Sequence, residues 1–232
     1  MKGRAIVVTG GFGALGQVVA EAASRRGALV AALDLAAAPP AGLAERLPAE
    51  ALLLGGVDLT SADSAREAMA KIKARFGRLD ALVNVAGGFR WESVADGDPA
   101  TWDRLFALNV KTALNAAKAA LPYLLESGAG RIVNVGAIAA LKSGAGLGAY
   151  AASKASVHRL TESLAEELKN HGVTVNAVLP SIIDTPANRA EMPDARFDRW
   201  VAPADLAAVI LFLASPEARA VTGALVPVVG AV

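Results

Sequence analysis

The chain has 232 residues, of which 54% are hydrophobic and 19% are charged, and its formal net charge is +1. This composition predicts one globular domain with a substantial core, and the scattered basic residues argue against a nucleic-acid surface. The absence of cysteine excludes disulfides and thiolate chemistry, and with only two histidines we expect no metal site. No apolar run reaches the length of a membrane span, and the first one breaks at Thr9, so we expect no membrane segment, no signal peptide and a cytoplasmic protein.

Short runs rich in β-branched residues alternate along the chain with longer alanine-rich segments of helical periodicity. This alternation is typical of a parallel sheet covered by helices. About seven strands are predicted, at AIVV, LVAAL, ALLL, ALVNV, RIVNV, VTVNAV and ALVPVV. No shift in composition and no fixed repeat divides the chain, so we assign residues 1–232 to a single doubly wound α/β domain.

Helix boundary signals agree with this alternation. Thr60 with Asp63 resembles a capping box, Pro99 after Asp98 is a first-turn proline, and Gly77 stands where a helix should stop. Local and global patterns therefore predict the same set of elements.

A glycine-rich stretch, TGGFGALG, lies between the first predicted strand and the first predicted helix. Its glycines fit G-x-G-x-x-G through positions 11, 13 and 16, and T-G-x-x-G-x-x-G through positions 10, 13 and 16. Such glycines let the backbone approach a pyrophosphate at a helix N-terminus, which predicts a Rossmann-type dinucleotide site; an ordinary glycine turn is the alternative. The loop residues predicted to contact the cofactor are Gly10, Phe12, Gly13, Ala14, Leu15 and Gly16.

An acidic residue, Asp34, closes the second predicted strand at the distance that the dinucleotide pattern requires. Its carboxylate is suited to accept hydrogen bonds from two ribose hydroxyls and to repel a 2′-phosphate. Leu35 follows it, and no Arg or Lys occurs before Arg46, so we expect NAD(H) rather than NADP(H). Asp58, with Leu59 beside it, is predicted to bind the adenine amino group; the alternatives are a solvated strand end for Asp34 and a helix cap for Asp58.

Tyr150 and Lys154, in YAASK, are four residues apart and therefore neighbours on one helical face. A nearby ammonium favours the phenolate, so we expect the pKa of Tyr150 to be lowered, as suits a general acid/base. Such a pair also arises by chance on exposed helices. Its place after the strand RIVNV predicts that the phenol faces the carboxyl ends of the strands, whereas His158, two turns further along, is interpreted as a packed or interface residue.

Together these motifs resemble the short-chain dehydrogenase/reductase family over essentially the whole chain. They are TGGFGALG, Asp34, VDLT, NVAGG, LNV, YAASK and LPSIIDT, in this order. The resemblance implies hydride transfer between NAD(P) and a carbonyl or alcohol of a small molecule, with Tyr150 as proton donor or acceptor. It implies that Lys154 holds the nicotinamide ribose and tunes Tyr150, and that Asn109 anchors a proton-relay water through its helix backbone.

The same resemblance implies further contacts and an assembly. Ile183 and Thr185 are expected to hold the nicotinamide carboxamide. Further cofactor contacts are expected at Asn84, Ala86, Gly87 and Pro180. Family members commonly pair their long helices, so we expect a homodimer or a homotetramer.

Three positions depart from the family pattern. Val85 replaces the second asparagine of Asn-Asn-Ala-Gly and Ser181 replaces the glycine of Pro-Gly, and we expect both to alter supports rather than chemistry. Ala137, thirteen residues before Tyr150, stands where the catalytic serine would be, and Ser143 is a poorer replacement because of its loop position. Removing one positioned donor typically costs on the order of 10²–10³ in rate, so an enzyme can still function without it.

One branch of the superfamily, the quinonoid dihydropteridine reductases, works without this serine and uses NADH. The chain is similar to that branch at GGFGALG, VAGGF, GAIAALKSGAGLGAY, SKASVHRL and VLPSIIDTPANRAEMPDARFDRW, whereas LNV is of the general type. Three functions stay open: a reductase of a quinonoid cyclic substrate, a general alcohol/ketone oxidoreductase, and an NAD-binding scaffold or sensor with impaired catalysis. The last is disfavoured because Tyr150, Lys154 and Asn109 are all present.

Substrate contacts are expected beside Ala137 and in two segments, GGFRWESV and TPANRAEMPDARFDRW. In these segments Phe89, Trp91, Met192 and Trp200 are placed to wall a flat ring. The alternative for Trp91 and Trp200 is that they cover the core or an oligomer contact.

Overall fold

The computed structural model describes residues 1–232 and contains one sheet in which every neighbouring pair of strands is parallel. Its strands are β1 (Ala5–Thr9), β2 (Leu29–Leu33), β3 (Leu52–Leu54), β4 (Ala81–Asn84), β5 (Arg131–Val135), β6 (Thr174–Pro180) and β7 (Leu225–Val228). Their order across the sheet is β3-β2-β1-β4-β5-β6-β7. All seven predicted runs form strands, and the predicted parallel α/β fold is confirmed.

Helices cover both faces of this sheet. They are α1 (Ala14–Arg25), α2 (Leu43–Arg46), α3 (Ala62–Phe76), α4 (Pro99–Phe106), α5 (Thr112–Glu126), α6 (Gly148–Leu168), α7 (Pro186–Glu191) and α8 (Pro203–Leu213). Side chains of a strand alternate between the two faces. In β1, Ile6 and Val8 pack with α1 and α8, and Val7 packs with α3, α5 and α6. None of the helices combines the length and the hydropathy that crossing a membrane demands.

The start of α3 differs from the capping box predicted at Thr60 and Asp63. The N-cap is Ser61, whose hydroxyl oxygen accepts the amide hydrogen of Ser64. Thr60 stays in the preceding turn because both its amide and its hydroxyl donate to Asp58. The capping-box prediction was therefore wrong by one residue, whereas α4 does begin at Pro99 as predicted.

The order of the strands reverses between β1 and β4. From β1 the chain builds outward through β2 and β3, and from β4 it builds toward the other edge through β5, β6 and β7. The loops that leave the carboxyl ends of β1 and β4 therefore diverge and open a crevice between them. Open parallel sheets bind their ligands at such a switch point.

Candidate active site

A cleft of about 320 Å³ opens at this crevice. Its walls come from the loops after β1, β2, β3 and β4 and from the junction of α4 and α5. They are formed by Gly10, Gly13, Ala14, Leu15, Gly16, Asp34, Leu35, Val57, Asp58, Leu59, Thr60, Val85, Ala86, Gly87, Leu108 and Thr112. The structure thus brings together most of the residues predicted to hold a dinucleotide.

The glycine loop allows backbone atoms to approach one another where side chains would collide. Gly10 has φ of 61°, and a Cβ there would lie 2.9 Å from the backbone of Ala86. A Cβ at Gly16 would overlap the carbonyl oxygen of Gly10. The loop therefore leaves an uncrowded backbone surface before the first turn of α1, whose free amides suit a pyrophosphate. This cradle fits the dinucleotide that the sequence predicts.

Asp34 follows β2 and connects the glycine loop to the far end of the cleft. Its Oδ2 accepts the amide hydrogen of Phe12 at 3.0 Å, and its Oδ1 accepts that of Ala36 at 3.0 Å. Each carboxylate oxygen has a further lone pair, so the anchored side chain can still accept hydroxyl hydrogens. Phe12 contributes its amide to this site, while its side chain is buried in the core.

Asp58 lines the same part of the cleft. Its Oδ1 accepts two hydrogen bonds from Thr60, one from the amide at 2.9 Å and one from the hydroxyl at 2.7 Å. Because Ser61 caps α3, the alternative that Asp58 is the helix cap was wrong. Leu59 is buried, and its carbonyl accepts a hydrogen bond from Asn115 at 2.9 Å.

Tyr150 lies in the first turn of α6, where its ring meets the ring of Phe89 edge to face with 4.9 Å between centroids. Burial raises the pKa of Tyr150 to about 12. The expectation that a nearby ammonium lowers this pKa was therefore wrong. Lys154 directs its Nζ to the carbonyl of Val135, at 2.8 Å, and does not offset the burial of the phenol. At neutral pH Tyr150 is a protonated phenol, which is the form that donates a proton.

Lys154 is on the same helix, one turn after Tyr150, as predicted. It is only 6% exposed, and burial lowers its pKa to about 8. Lys154 therefore titrates close to neutral pH. Binding of an anionic or polar group beside it can change the fraction of Lys154 that is protonated.

Asn109 lies in a π-helical turn, Ala107–Lys111, between α4 and α5. Its Oδ1 accepts the amide hydrogen of Gly88 at 2.8 Å, and its Nδ2 donates to the carbonyl of Gly88 at 3.1 Å and to Ser153 Oγ at 2.9 Å. A Cβ at Gly87 would lie 2.5 Å from Asn109 Oδ1 and 3.3 Å from Lys154 Nζ. Asn109 and Lys154 therefore converge on Gly87, which is itself a wall of the cleft.

Ala137 follows β5 and is 3% exposed. Its amide donates to Nε2 of His158 at 3.4 Å, and a Cβ at Gly136 would lie 2.5 Å from that nitrogen. Burial, followed by neighbouring cations, lowers the pKa of His158 to about 4, so the imidazole is a neutral acceptor. His158 is thus a packed residue, as predicted. Ser143 is exposed, and its hydroxyl donates to the adjacent Gly144.

Other predicted cofactor contacts lie outside the walls of the 320 Å³ cleft. Pro180 ends β6, and Ile183 and Thr185 lie in the segment between β6 and α7. The hydroxyl of Thr185 caps α7. Asn84 is buried at the end of β4, where its Nδ2 donates to Asn134 Oδ1 at 2.9 Å. The nicotinamide contacts of Ile183 and Thr185 stay predictions.

The aromatic residues proposed as substrate walls divide into two groups. Phe89 and Trp91 are exposed, and Trp91, 60% accessible, covers the backbone of Gly146 just before α6. Met192 is half-buried at the end of α7. Trp200 is only 8% exposed, which fits the alternative that it covers the core.

Comparison with known proteins gives the chain its family. Residues 4–196 match the family of short chain dehydrogenases. The chain is also 37% identical to 2-(S)-hydroxypropyl-CoM dehydrogenase 3 of Xanthobacter autotrophicus, over 99% of this chain and 96% of that protein. The chain belongs to the short-chain dehydrogenase family. This membership confirms the resemblance and makes the protein an oxidoreductase of the NAD-dependent type that acts on small molecules.

Two further relatives of this family cover nearly all of the chain. A 3-oxoacyl-(acyl-carrier-protein) reductase of Thermotoga maritima is 32% identical over 99% of this chain and 98% of that protein. The crystal structure of carveol dehydrogenase from Mycobacterium avium in complex with NAD superposes with a TM-score of 0.87 at 26% identity, covering 99% of this chain and 97% of that one. The family fold therefore extends beyond the matched residues to β7.

Sequence reasoning missed several residues of the cleft and its supports. They are Val57, Thr60, Val85, Leu108 and Thr112 in the walls, and Ser153 behind them. Thr60 and Leu108 belong to the motifs VDLT and LNV, whose other residues were already assigned to the site. Their place in these motifs could therefore have identified them as residues of the cleft. Thr112 donates from its hydroxyl to the carbonyl of Leu108 at 2.6 Å, across a π-helical turn that no local pattern predicts.

The buried ammonium of Lys154 predicts a pH-dependent difference in stability. Its folded pKa of about 8 lies below the ordinary value of 10.5, so between these pH values the unfolded chain binds more protons than the folded one. Wild type should therefore gain stability relative to Lys154→Met as the pH rises from 8 to 10.5. Urea unfolding of both proteins at pH 7 and pH 10 measures this difference.

The exposed Lys169, at the C-terminal end of the same helix, serves as the control, because Lys169→Met removes a surface charge paired with Glu166. Its stability relative to wild type should change much less over this range. A difference between wild type and Lys154→Met that stays constant from pH 7 to pH 10 would contradict the lowered pKa.

Proposed function

We propose that the protein is a cytoplasmic NAD(H)-dependent oxidoreductase that transfers hydride between nicotinamide and a carbonyl or alcohol, with Tyr150 as general acid/base. One observation carries this proposal: Asn109 and Lys154 meet at Gly87, in the wall of the cleft that Asp34 also lines, and Tyr150 lies one turn before Lys154 on α6. A cleft of this kind supports binding of a dinucleotide with its reactive ring beside a proton donor.

The preference for NAD(H) rests on the surroundings of Asp34. A carboxylate at this place repels a 2′-phosphate, and Leu35 beside it is exposed and uncharged. The next cation, Arg46, is bonded to Glu21 at 2.7 Å and to Gln17 at 2.6 Å. The first basic side chain after Asp34 in sequence is thus already paired. The NAD complex of carveol dehydrogenase, a structure of similar fold, supports the same choice.

The residues divide the chemical work in the following way. NAD(H) supplies or accepts the hydride. Tyr150, protonated at neutral pH, donates a proton to the substrate oxygen during reduction and accepts one during oxidation. Lys154, whose Nζ donates to the carbonyl of Val135 and lies close to Gly87, would hold the nicotinamide ribose, and Asn109 fixes the loop at Gly88.

The substrate is a small molecule with a carbonyl or carbinol group. The relatives act, by their names, on 2-(S)-hydroxypropyl-CoM and on 3-oxoacyl-(acyl-carrier-protein), so acyclic ketones belong in any test. The protein assembles as a homodimer or homotetramer in this proposal. Exposed Trp102 and Phe106 on α4 support such a contact because large exposed apolar groups mark interaction surfaces.

Loss of the phenol tests the proposed function. Tyr150→Phe should lower the rate of NADH-dependent ketone reduction by on the order of 10²-fold or more, since it removes the proton donor. NADH binding, followed by fluorescence titration, should change little. Turnover is measured on a panel of short acyclic ketones, a 3-oxoacyl thioester and quinonoid dihydropterin.

The chain offers a matched control, because Tyr123 is its only other tyrosine and lies on α5. Tyr123→Phe should keep the wild-type rate. Equal rates for Tyr150→Phe and wild type would overturn the role of Tyr150. Absence of turnover by wild type on the whole panel, with NADH bound, would favour the scaffold or sensor function.

Asp34 should control cofactor binding. Asp34→Ala removes the acceptor for ribose hydroxyls and the anchor of the glycine loop, so NADH affinity should fall roughly tenfold to a hundredfold. NADPH should lose less, because the repulsion disappears at the same time. Calorimetric titration of wild type, Asp34→Ala and the exposed-site control Asp63→Ala measures both cofactors. Unchanged NADH affinity in Asp34→Ala would refute the role of this carboxylate.

A second candidate function, reduction of a quinonoid cyclic substrate, is favoured by the surroundings of Ala137. Ala137 has a methyl group at the position where the family has its serine hydroxyl. The ring of Phe89, half of whose surface is exposed, meets the ring of Tyr150 edge to face. A flat substrate that stacks on an aromatic ring and carries its own polarised group needs the missing donor less than a simple ketone does.

Restoring the hydroxyl separates the two candidates. Ala137→Ser should raise kcat/KM for simple ketones by on the order of tenfold if they are the proper substrates, because it adds a donor to the developing oxyanion. The same change should leave quinonoid dihydropterin reduction almost unchanged if the substrate polarises itself. Ala139→Ser, two residues along, controls for an added hydroxyl elsewhere in the loop. An equal gain on both substrate classes would contradict the second candidate.

A further inference from the structure

Ser153 lies on α6 between Tyr150 and Lys154 and is 3% exposed. Its hydroxyl donates to the carbonyl of Tyr150 at 2.7 Å and accepts a hydrogen bond from Asn109 Nδ2 at 2.9 Å. One buried hydroxyl therefore joins the helix that carries the proton donor to the π-helical turn that carries Asn109. Both bonds have ordinary lengths, and removal of the hydroxyl would leave one of the two N–H groups of Asn109 Nδ2 without its acceptor, while the other still donates to Gly88.

The direction of these bonds fixes which way the Asn109 amide points. The hydroxyl hydrogen of Ser153 is used by the carbonyl of Tyr150, so only lone pairs of Oγ face Asn109. Those lone pairs require the NH₂ end of the amide, and the oxygen end is thereby turned to the amide hydrogen of Gly88. Three hydrogen bonds from one side chain thus connect α6, the π-helical turn and the loop after β4.

A small displacement of the Asn109 side chain would also affect Gly87 and Lys154. Gly87 is so close to both Asn109 Oδ1 and Lys154 Nζ that a Cβ would lie 2.5 Å and 3.3 Å from them. Gly87 is also a wall of the cleft. Displacement of Asn109 therefore changes the spacing between Gly87 in the cleft wall and the ammonium of Lys154.

We propose that Ser153 is a positioning residue whose hydroxyl locks Asn109, and through it the Gly87–Gly88 segment, against the acid/base face of α6. The catalytic part of this proposal rests on the proposed function of Tyr150. The structural part, the tethering of Gly88, exists without turnover and can be measured separately.

The test compares Ser153→Ala with a matched control on the same helix. Ser156 also donates to a backbone carbonyl, that of Ala152 at 3.1 Å, but it is half-buried and has no hydrogen bond to Asn109. In Ser153→Ala the amide of Gly88 should exchange hydrogen roughly fivefold faster than in wild type, because its acceptor is less firmly held. Amides of β1 should keep their wild-type exchange rates, and Ser156→Ala should change neither.

Kinetics then show whether the tether serves the reaction. Turnover of Ser153→Ala on the best ketone or quinonoid substrate should fall by about tenfold, since displaced reacting groups lose rate steeply. The solvent isotope effect on kcat should rise, because proton donation is slowed more than hydride transfer. KM for NADH should change little, since the glycine loop and Asp34 do not touch Ser153.

The outcomes separate the two proposals. Gly88 exchange equal to that of Ser156→Ala overturns the tether, whether or not the enzyme turns over. Faster Gly88 exchange with an unchanged rate and isotope effect overturns the catalytic part and leaves a structural hydroxyl. Faster Gly88 exchange in Ser153→Ala, combined with no turnover by the wild-type enzyme on any substrate, contradicts the proposed function and leaves the tether in place. Should Ser153→Ala fail to fold, Ser153→Cys, which nearly keeps the volume, carries the same comparison.

Discussion

The position of the phenol depends on how α6 is held against β5. A stripe of polar residues one turn apart on α6 makes hydrogen bonds to β5 and the residues that follow it. Lys154 donates to the carbonyl of Val135, His158 accepts from the backbone amide of Ala137, and the hydroxyl oxygen of Thr161 accepts from the side-chain Nδ2 of Asn134. Hydrogen bonds are directional, whereas apolar packing tolerates sliding, so this stripe fixes both the rotation and the height of the helix. Tyr150 lies on α6 one turn before these residues, so the position of its ring depends on their hydrogen bonds.

The polar residues that hold α6 are themselves buried, and burial disfavours their charged forms. Lys154 and His158 are basic groups in a nearly dry interface, and burial lowers the pKa of each. His158 remains a neutral acceptor through the neutral range, while Lys154 is held near its titration point. Below them Asn134 is bonded to Asn84, whose Oδ1 is buried without a partner. The interface behind the phenol is therefore polar and incompletely satisfied, as is common where a fold gives up stability to orient reacting groups.

Much of this architecture could be predicted from the sequence because it is encoded over short distances. The patterns that predict the fold are local: seven apolar runs, a glycine loop at fixed spacing, and a tyrosine four residues before a lysine. Each pattern correctly predicts the strand, loop or helix that contains it. Asp34 also has the place that its distance from the glycine loop requires. Other features depend on contacts that local patterns do not contain. Tyr150 has a raised pKa because Phe89 and the surrounding loops bury it while Lys154 turns to Val135, and only tertiary packing decides that balance.

The π-helical turn at Asn109 shows the same limit on prediction. Nothing in the segment LNV distinguishes it from a continuous α-helix, and the helical preferences on either side are ordinary. The turn is explained by its partners, Gly88 and Ser153, which lie 21 and 44 residues away in sequence. Likewise Trp200 looks like a candidate for an exposed aromatic wall until packing of the last segments buries it. Residues whose position depends on distant partners are the ones that sequence spacing misplaces.

In the proposed function, a buried phenol at Tyr150 acts without the serine hydroxyl that the family has at the position of Ala137. In the proposed function, Tyr150, whose pKa burial raises to about 12, is protonated at neutral pH and so begins a reduction in the form that donates a proton. A weak acid transfers its proton readily only as negative charge develops on the substrate oxygen, and Ala137 supplies no second donor to stabilise that charge. The substrate itself or Lys154 must therefore polarise the bond that accepts the hydride. Under the second proposed function, the quinonoid substrate meets this requirement better than an isolated ketone does, because its acceptor is electron-poor and conjugated. Its flat ring could also stack on the half-exposed ring of Phe89.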